Sequence, residues 1–240
     1  MSAAHRRPVE ESSGTLAGRT VLPGPLRARA PDDRTRADAR TLAGAAELPV
    51  QARLLAVASV LFAERGFAQT SVQDIVESAG VTKGAMYHYY ASKDDLLQEI
   101  YTRLLTLQAG RLGEIADRDL PAGARLRAAA ADVVVTTLEH LDDAVVSMRS
   151  MHMLPEAGRA TIRAERRRYH ERFRALVEEG QRTGELRSDV SADLAVHQFF
   201  GGVHHLGTWY RPDGELRPEQ IGETFADLLL RGLLLGLGNR

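Results

Sequence analysis

The only two lysines of this sequence mark the stretch that could bind an anion. Lys83 and Lys93 lie close together, and no acidic residue occurs between Glu77 and Asp94. The whole chain has a formal net charge of −1, so contact with a nucleic acid would have to rest on local charge of this kind. We interpret the stretch as a phosphate-binding surface. The alternative is that the chain simply favours arginine over lysine and that its two lysines occur here by chance.

Capping signals divide the same stretch into helices. Thr70 with Gln73 predicts a capping box at the start of one short helix, and Thr82 predicts the start of a second. Ser92 with Asp95 predicts the start of a third, longer helix. Two short helices joined by a tight turn are the arrangement that places the second helix in the major groove of DNA.

The second short helix carries side chains that suit such docking. Its small residues would let the backbone approach DNA, and its N-terminus offers free N–H groups and a dipole that favour phosphate. Phosphate contacts set the register, whereas base contacts read the sequence. A core position for Tyr87 and a solvated position for His88 are the alternatives. The predicted DNA-binding residues are Thr70, Gln73, Thr82, Lys83, Ala85, Tyr87, His88 and Lys93.

Helical periodicity continues through the rest of the chain, and no useful period-2 alternation occurs. We predict an all-α fold of about nine helices. Residues 1–47 have few large apolar side chains and are expected to form a disordered arm. Residues 48–93 form the three-helix unit, and residues 94–240 form a larger helical domain. The predicted helices of that domain span residues 92–115, 125–141, 142–153, 156–183, 189–209 and 218–237.

Composition excludes several classes of site. The chain has no cysteine, so a disulfide framework and a thiolate metal site are both impossible. No apolar run reaches the ~18 residues of a membrane span, and we expect a cytoplasmic protein without a membrane partner. His197 and His204 share a helical face, but no carboxylate has a ligand-like spacing to them. No catalytic arrangement stands out either, so we expect no metal, no cofactor and no enzymatic activity.

Methionines and aromatic residues suggest an apolar ligand cavity in the larger domain, since methionine adapts to irregular shapes. An ordinary core is the alternative. The arginine run between Arg163 and Arg174 is either a solvated face or the mouth of a cavity for an anionic ligand such as an acyl-CoA thioester. The predicted ligand-binding residues are Met148, Met151, His152, Phe173, Val177, Phe199, Val203 and Trp209.

The last predicted helix is apolar over much of its circumference. Leu228, Leu229 and Leu233 lie on one stripe, and Leu234 and Leu237 broaden it. A helix of this kind needs apolar partners on two sides. One side can face the domain core and the other a second copy of the chain.

Four segments resemble the DNA-binding domain of the TetR family of bacterial transcriptional regulators. The likeness runs without a gap from about Leu54 to Leu97. Within that family, Thr208–Gly214 is similar, more weakly, to actinobacterial repressors of sterol-ring catabolism. The four segments are FAERGF (62–67), TSVQDI (70–75), AGVTKGAMYHYY (79–90) and SKDDLL (92–97).

The resemblance implies a ligand-responsive repressor. Its members form homodimers through their last two helices, and the dimer binds a two-fold symmetric, double-stranded DNA operator. A small-molecule effector in the larger domain shifts the two DNA-binding heads and releases the operator. The alternative is a helical small-molecule-binding or enzymatic protein whose head no longer binds DNA.

Overall fold

The computed structural model describes residues 45–234, and that part of the chain is mainly helical. A 3-10 turn follows α6, and no strand occurs between residues 45 and 234, where one isolated bridge joins Leu186 to Leu234. The all-α prediction is confirmed. The helices are α1 (Val50–Arg65), α2 (Val72–Ser78), α3 (Lys83–Tyr89), α4 (Lys93–Ala116), α5 (Ala122–Glu139), α6 (Leu141–Ser150), α7 (Glu156–Thr183), α8 (Ala192–His204), α9 (Leu206–Trp209) and α10 (Pro218–Leu233).

The predicted element bounds differ from the observed ones at a few points. The helix expected over residues 189–209 is divided at His205 into α8 and the short α9. The arm predicted for residues 1–47 lies outside the described residues except at its last three positions, and so does Leu237. Within residues 45–234, none of the helices combines the length and apolar character that a membrane span requires.

Helices α1, α2 and α3 pack around a small apolar centre. Phe62 of α1, Ile75 of α2 and Met86 of α3 are almost fully buried. Phe67, in the loop after α1, lies edge-on to Phe62 with ring centroids 5.0 Å apart. The turn between α2 and α3 contains Gly80 at φ +63°, a left-handed conformation that glycine adopts without strain. These contacts fix the orientation of α3 relative to α1 and α2.

Side-chain caps start α2, α3 and α4, with one correction to the prediction. The hydroxyl of Thr82 accepts from the Ala85 N–H at 3.1 Å, and Ser92 forms the expected capping box with its partner three residues on. The capping box of α2, however, joins Ser71 to Asp74. The prediction of Thr70 with Gln73 was therefore wrong by one residue, because Thr70 is drawn into the core instead.

The larger domain is arranged around α4, which contacts α1 in the head and α5, α6 and α7 behind it. Helix α10 lies against α5 so closely that a Cβ atom on Gly222 would come within 2.8 Å of the Ala131 carbonyl oxygen. Helices α7 and α8 pack through aromatic side chains, and Phe173 of α7 stacks on Phe199 of α8 with ring centroids 5.2 Å apart. One continuous core therefore joins the head to the larger domain.

Candidate nucleic-acid interface and ligand cavity

Helix α3 presents a polar, partly aromatic face to solvent. Met86 points inward and is fully buried, whereas Tyr87 is 53% exposed. Lys83 and His88 are also exposed. A core position for Tyr87 is thereby excluded. Because α3 contains no acidic residue, its outer face is able to approach an anion without charge repulsion.

The flanking positions on α2 and at the start of α3 lie on the surface beside this face. Gln73 is exposed, and its amide donates a hydrogen bond to the Glu77 carboxylate one turn later. Thr82 is exposed as the N-cap of α3, and Ala85 is half-buried behind it. Six of the eight predicted DNA-binding residues are therefore at least partly exposed: Gln73, Thr82, Lys83, Ala85, Tyr87 and His88.

Thr70, a predicted DNA contact, points into the protein. Its side chain belongs to a residue that is 1% exposed, and its hydroxyl donates to the Gly66 carbonyl oxygen at 2.9 Å. The same hydroxyl lies 3.3 Å from the carbonyl oxygen of Leu61. These bonds tie the Thr70 side chain to backbone carbonyl groups near the end of α1. Thr70 thus holds the α1–α2 loop and offers no side-chain group to a ligand.

Lys93, the second predicted phosphate contact, is also engaged inside the protein. Its Nζ atom donates to the carbonyl oxygens of Phe67 at 2.7 Å and Thr70 at 2.8 Å. The same atom lies 4.2 Å from the centre of the Phe67 ring, a cation–π contact. Burial lowers the pKa of Lys93, while the neighbouring Asp94 opposes that shift. Without DNA, Lys93 therefore braces the α1–α2 loop, and its contact with phosphate stays a prediction.

A cavity of about 260 Å³ lies in the larger domain between α4, α5, α6, α7 and α8. Its lining is exposed at Met148 and Arg149 and buried at Tyr169, so it opens toward solvent at one side and is closed at the other. The apolar wall is formed by Leu104, Val133, Val145, Ile162, Phe200 and Val203. Such a mainly apolar hollow with a few polar groups is typical of a small-molecule site.

Two of the eight predicted ligand residues, Met148 and Val203, line this cavity. The other six do not. The stacked pair Phe173 and Phe199 fills the closed core with Val177. Met151 and His152 lie in the 3-10 turn beyond α6, and Trp209 lies at the end of α9. The predicted residues outside the lining, whose contact with a ligand stays a prediction, are Met151, His152, Phe173, Val177, Phe199 and Trp209.

The polar groups of the cavity lie outside the predicted ligand-binding set, although Arg166 belongs to the arginine run that was considered as a cavity mouth. Arg166, Tyr169 and His170 occupy neighbouring turns of α7, and His204 faces them from α8. Arg166 and His170 are four residues apart, a spacing that places both side chains on one helical face. That spacing was the available signal. The spacing was difficult to recognise because Arg166 lies in a run of arginines, and most of the other arginines form ion pairs with acidic residues at the surface.

Arg166 places an uncompensated positive charge in the cavity wall. Among residues 45–234 it forms no ion pair, in contrast to Arg172, which lies 2.9 Å from Asp117. Burial lowers the pKa of His170 to about 4, and the Arg166 guanidinium contributes to that shift. Burial and Arg166 likewise lower the pKa of His204. The positive charges available to a ligand near neutral pH are thus those of Arg149 and Arg166.

Helix α6 joins this cavity to the head. Val145 and Met148 of α6 line the cavity, and Asp143 of the same helix is 2% exposed and faces the other way. The Asp143 carboxylate accepts from the hydroxyl of Ser59 in α1 at 2.7 Å. It also accepts two hydrogen bonds from Arg103 of α4. A shift of α6 would therefore change the contact between Asp143 and α1 of the head.

Comparisons with known proteins agree with this arrangement. The family described as "Bacterial regulatory proteins, tetR family" matches residues 54–100. The family described as "Tetracyclin repressor-like, C-terminal domain" matches residues 119–233. These two matches correspond to the head and to the domain that holds the cavity.

Relatives and solved structures give the same result over most of the chain. The HTH-type transcriptional repressor KstR2 of Rhodococcus jostii (strain RHA1) is 29% identical over 185 residues, covering 75% of this chain and 89% of the relative. The HTH-type transcriptional repressor DhaR of Mycobacterium sp. (strain GP1) is 30% identical, covering 62% and 76%. The structure of AibR in complex with isovaleryl coenzyme A and operator DNA has a TM-score of 0.66 and 25% identity, covering 75% and 97%. The chain belongs to the TetR family of bacterial transcriptional regulators.

Proposed function

We propose that this protein is a ligand-responsive repressor in the cytoplasm that binds a two-fold symmetric operator as a homodimer and releases it when a small molecule fills the cavity. Residues 48–93 would be the DNA-binding head, and residues 94–240 the ligand-binding and dimerisation domain. Its named relatives are transcriptional repressors, which supports this direction of regulation. We propose no enzymatic activity and no cofactor.

The observation that carries the proposal is the position of α6. One helix lines the cavity with Val145 and Met148 and ties itself to the head through Asp143. A ligand changes an equilibrium only through contacts that differ between its two states. Because α6 contacts both regions, filling the cavity has a direct mechanical route to the orientation of the head.

The outer face of α3 would enter the major groove. Thr82 and Lys83 at its N-terminus would meet phosphate, and Tyr87 and His88 would reach a phosphate or a base edge one turn later. Gln73 would approach the neighbouring strand from α2. With one free lysine on α3, a single head offers few charged contacts, so affinity would depend on two heads that bind together.

Dimerisation would involve the outer faces of α8 and α10. Leu194 of α8 is 69% exposed, and Leu228 of α10 is 66% exposed. Gly201 is exposed and has no atom within 4 Å of a Cβ added there, so a second helix could approach closely. Pairing these faces with those of a second copy would cover apolar surface that otherwise meets water.

An acyl-CoA thioester is the proposed effector class. The cavity of about 260 Å³ lies just below the range of roughly 300–1,000 Å³ for drug-sized sites, so it would hold the acyl group while the coenzyme extends past the opening. Arg149 and Arg166 line the cavity, and Arg166 has no acidic partner among residues 45–234. The AibR complex contains an acyl-CoA and operator DNA, which supports the same class here.

Titration of the full-length protein onto the intergenic DNA beside its own gene would test the proposal. Binding should fall steeply with salt, and it should be lost when acyl-CoA thioesters are added but not when the free acids are added. A random duplex of equal length is the control. Equal affinity for both duplexes, or binding that no thioester changes, would contradict the proposal.

A further inference from the structure

Tyr169 holds a hydroxyl group at the closed wall of the cavity that has no hydrogen-bond partner. The residue is 5% exposed, and its ring lies edge-on to Phe200 with centroids 5.7 Å apart. No group within residues 45–234 pairs with its oxygen. Buried hydroxyl groups in proteins are nearly always hydrogen-bonded, so an isolated one requires an explanation.

Three other polar side chains of the cavity lining have hydrogen-bond partners within the protein. The Tyr101 hydroxyl donates to the Ser147 carbonyl oxygen. The Gln108 amide donates to Thr137 at 3.0 Å, and the Thr137 hydroxyl in turn donates to a backbone carbonyl of α5. Tyr169 is thus distinguished from its neighbours. The residue lines a hollow large enough for a ligand, and it also borders a second hollow beside Arg172.

We propose that the effector carries a neutral oxygen, as a ketone or hydroxyl group on its apolar body, and that the Tyr169 hydroxyl donates a hydrogen bond to it. This inference rests on the proposed function in that it takes the cavity as the effector site. It adds the chemical feature by which the cavity would distinguish one acyl group from another.

A neutral oxygen fits this position better than a charged one. Burial raises the pKa of the Tyr169 hydroxyl, with a further contribution from the Asp132 carboxylate. The hydroxyl is therefore protonated and available as a donor. The buried, aromatic surroundings of Tyr169 beside Phe200 would oppose a ligand carboxylate there, whereas Arg166, which is less buried, is suited to an anionic group. Tyr169 and Arg166 would thus bind two different ends of one ligand.

Matched pairs of thioesters test the inference by calorimetry. The probes are decanoyl-CoA with 9-oxodecanoyl-CoA, and cyclohexanecarbonyl-CoA with 4-oxocyclohexanecarbonyl-CoA. The wild-type protein should bind at least one oxo probe about tenfold more tightly than its partner, the value of one well-formed hydrogen bond that replaces an unsatisfied donor. Tyr169→Phe, which keeps the ring, should bind both members of that pair equally. Tyr101→Phe, whose hydroxyl is already paired, should retain the preference.

A second measurement needs no ligand. Tyr169→Phe removes an unsatisfied buried donor, so the melting temperature of the ligand-free protein should rise or stay unchanged. A lower melting temperature would overturn the inference, because the hydroxyl would then have a partner in the free protein. Equal binding of every pair by the wild-type protein, a preference that survives in Tyr169→Phe, or failure of all four probes to bind would overturn it as well.

The outcomes separate this inference from the proposed function. If oxo and unsubstituted probes release DNA equally well, the role of Tyr169 is refuted and the ligand-responsive repressor stands. If the oxo probe is preferred but no operator DNA is bound, the repressor is refuted and the role of Tyr169 stands.

Discussion

Asp143 accepts two hydrogen bonds from the guanidinium group of Arg103, one from Nε at 2.6 Å and one from Nη2 at 2.7 Å. The carboxylate is almost fully buried, and the arginine side chain is 33% exposed. The same Arg103 Nη2 atom lies 3.1 Å from the Ser59 hydroxyl. Three helices, α1, α4 and α6, thus meet at one carboxylate between the cavity and the head.

Asp143→Asn should weaken both the fold and the response to effector. An amide retains the shape but loses the charge and one acceptor, so the cost is about 2 kcal/mol for a paired group of this burial. Operator binding should persist, while the effector concentration needed for release should increase. Chemical denaturation and DNA titration measure the two effects.

Glu223→Gln is the matched control for that substitution. It breaks an exposed pair with Arg127 at 2.9 Å, and exposed pairs contribute only about 0–1 kcal/mol. A control as destabilising as Asp143→Asn, or an unchanged effector response in Asp143→Asn, would argue against coupling through α6.

The two lysines should give different results when each is replaced by alanine. Lys83 is exposed on α3, so Lys83→Ala should lower the slope of log K against log salt by roughly one unit with little change in stability. Lys93 braces two carbonyl groups, so Lys93→Ala should destabilise the protein by about 1–3 kcal/mol. Fluorescence anisotropy at several salt concentrations and thermal unfolding separate the two roles. A full-unit change in slope for a Lys93→Ala protein of normal stability would establish Lys93 as a phosphate contact.

Leu228→Arg should shift the protein toward monomer. The side chain is 66% exposed on α10, and a charge there would be buried without a partner in the proposed dimer. Sedimentation velocity at micromolar concentration should show a dimer for the wild type and a smaller species for the variant. Leu120→Arg changes a leucine that is 48% exposed before α5 and should leave the dimer intact. A wild-type monomer would contradict the proposed mode of operator binding.

Stability should fall as the pH is lowered from about 6.5 toward 4 because of His170. Its folded-state pKa of about 4 lies below the ordinary value of 6.5. Within that window the unfolded chain binds a proton that the folded chain does not, so the free energy of unfolding decreases as pH falls. Unfolding free energies measured at closely spaced pH values will show this slope.

His170→Phe should reduce that dependence, since phenylalanine can keep the stacking of His170 on Phe200 at a centroid distance of 4.1 Å without binding a proton. His152→Gln, at an exposed position, serves as the control and should leave the pH profile unchanged. An unaltered profile in His170→Phe would assign the acid sensitivity to other groups, among them His204.

The sequence by itself determined the head closely. The all-α class, the tight turn between α2 and α3 and the starts of α3 and α4 are as predicted, because caps and turns depend on residues three or four positions apart. The one error of this kind is instructive. Thr70 and Ser71 both have a suitable partner three residues later, so the local pattern is degenerate. Packing of Thr70 against the end of α1 selected Ser71.

Only the tertiary structure decided what Lys93 contacts and which residues line the cavity. Lys93 binds carbonyl groups 23 and 26 positions earlier, and no local rule connects such distant groups. Met148 and Val203 line the cavity, whereas Phe173 and Phe199 lie in the closed core, although all four are apolar residues on helices. Helical periodicity gives the buried face of each helix, but whether that face meets a neighbour or an open space depends on how several helices pack together. The unpaired hydroxyl of Tyr169 follows from the same packing.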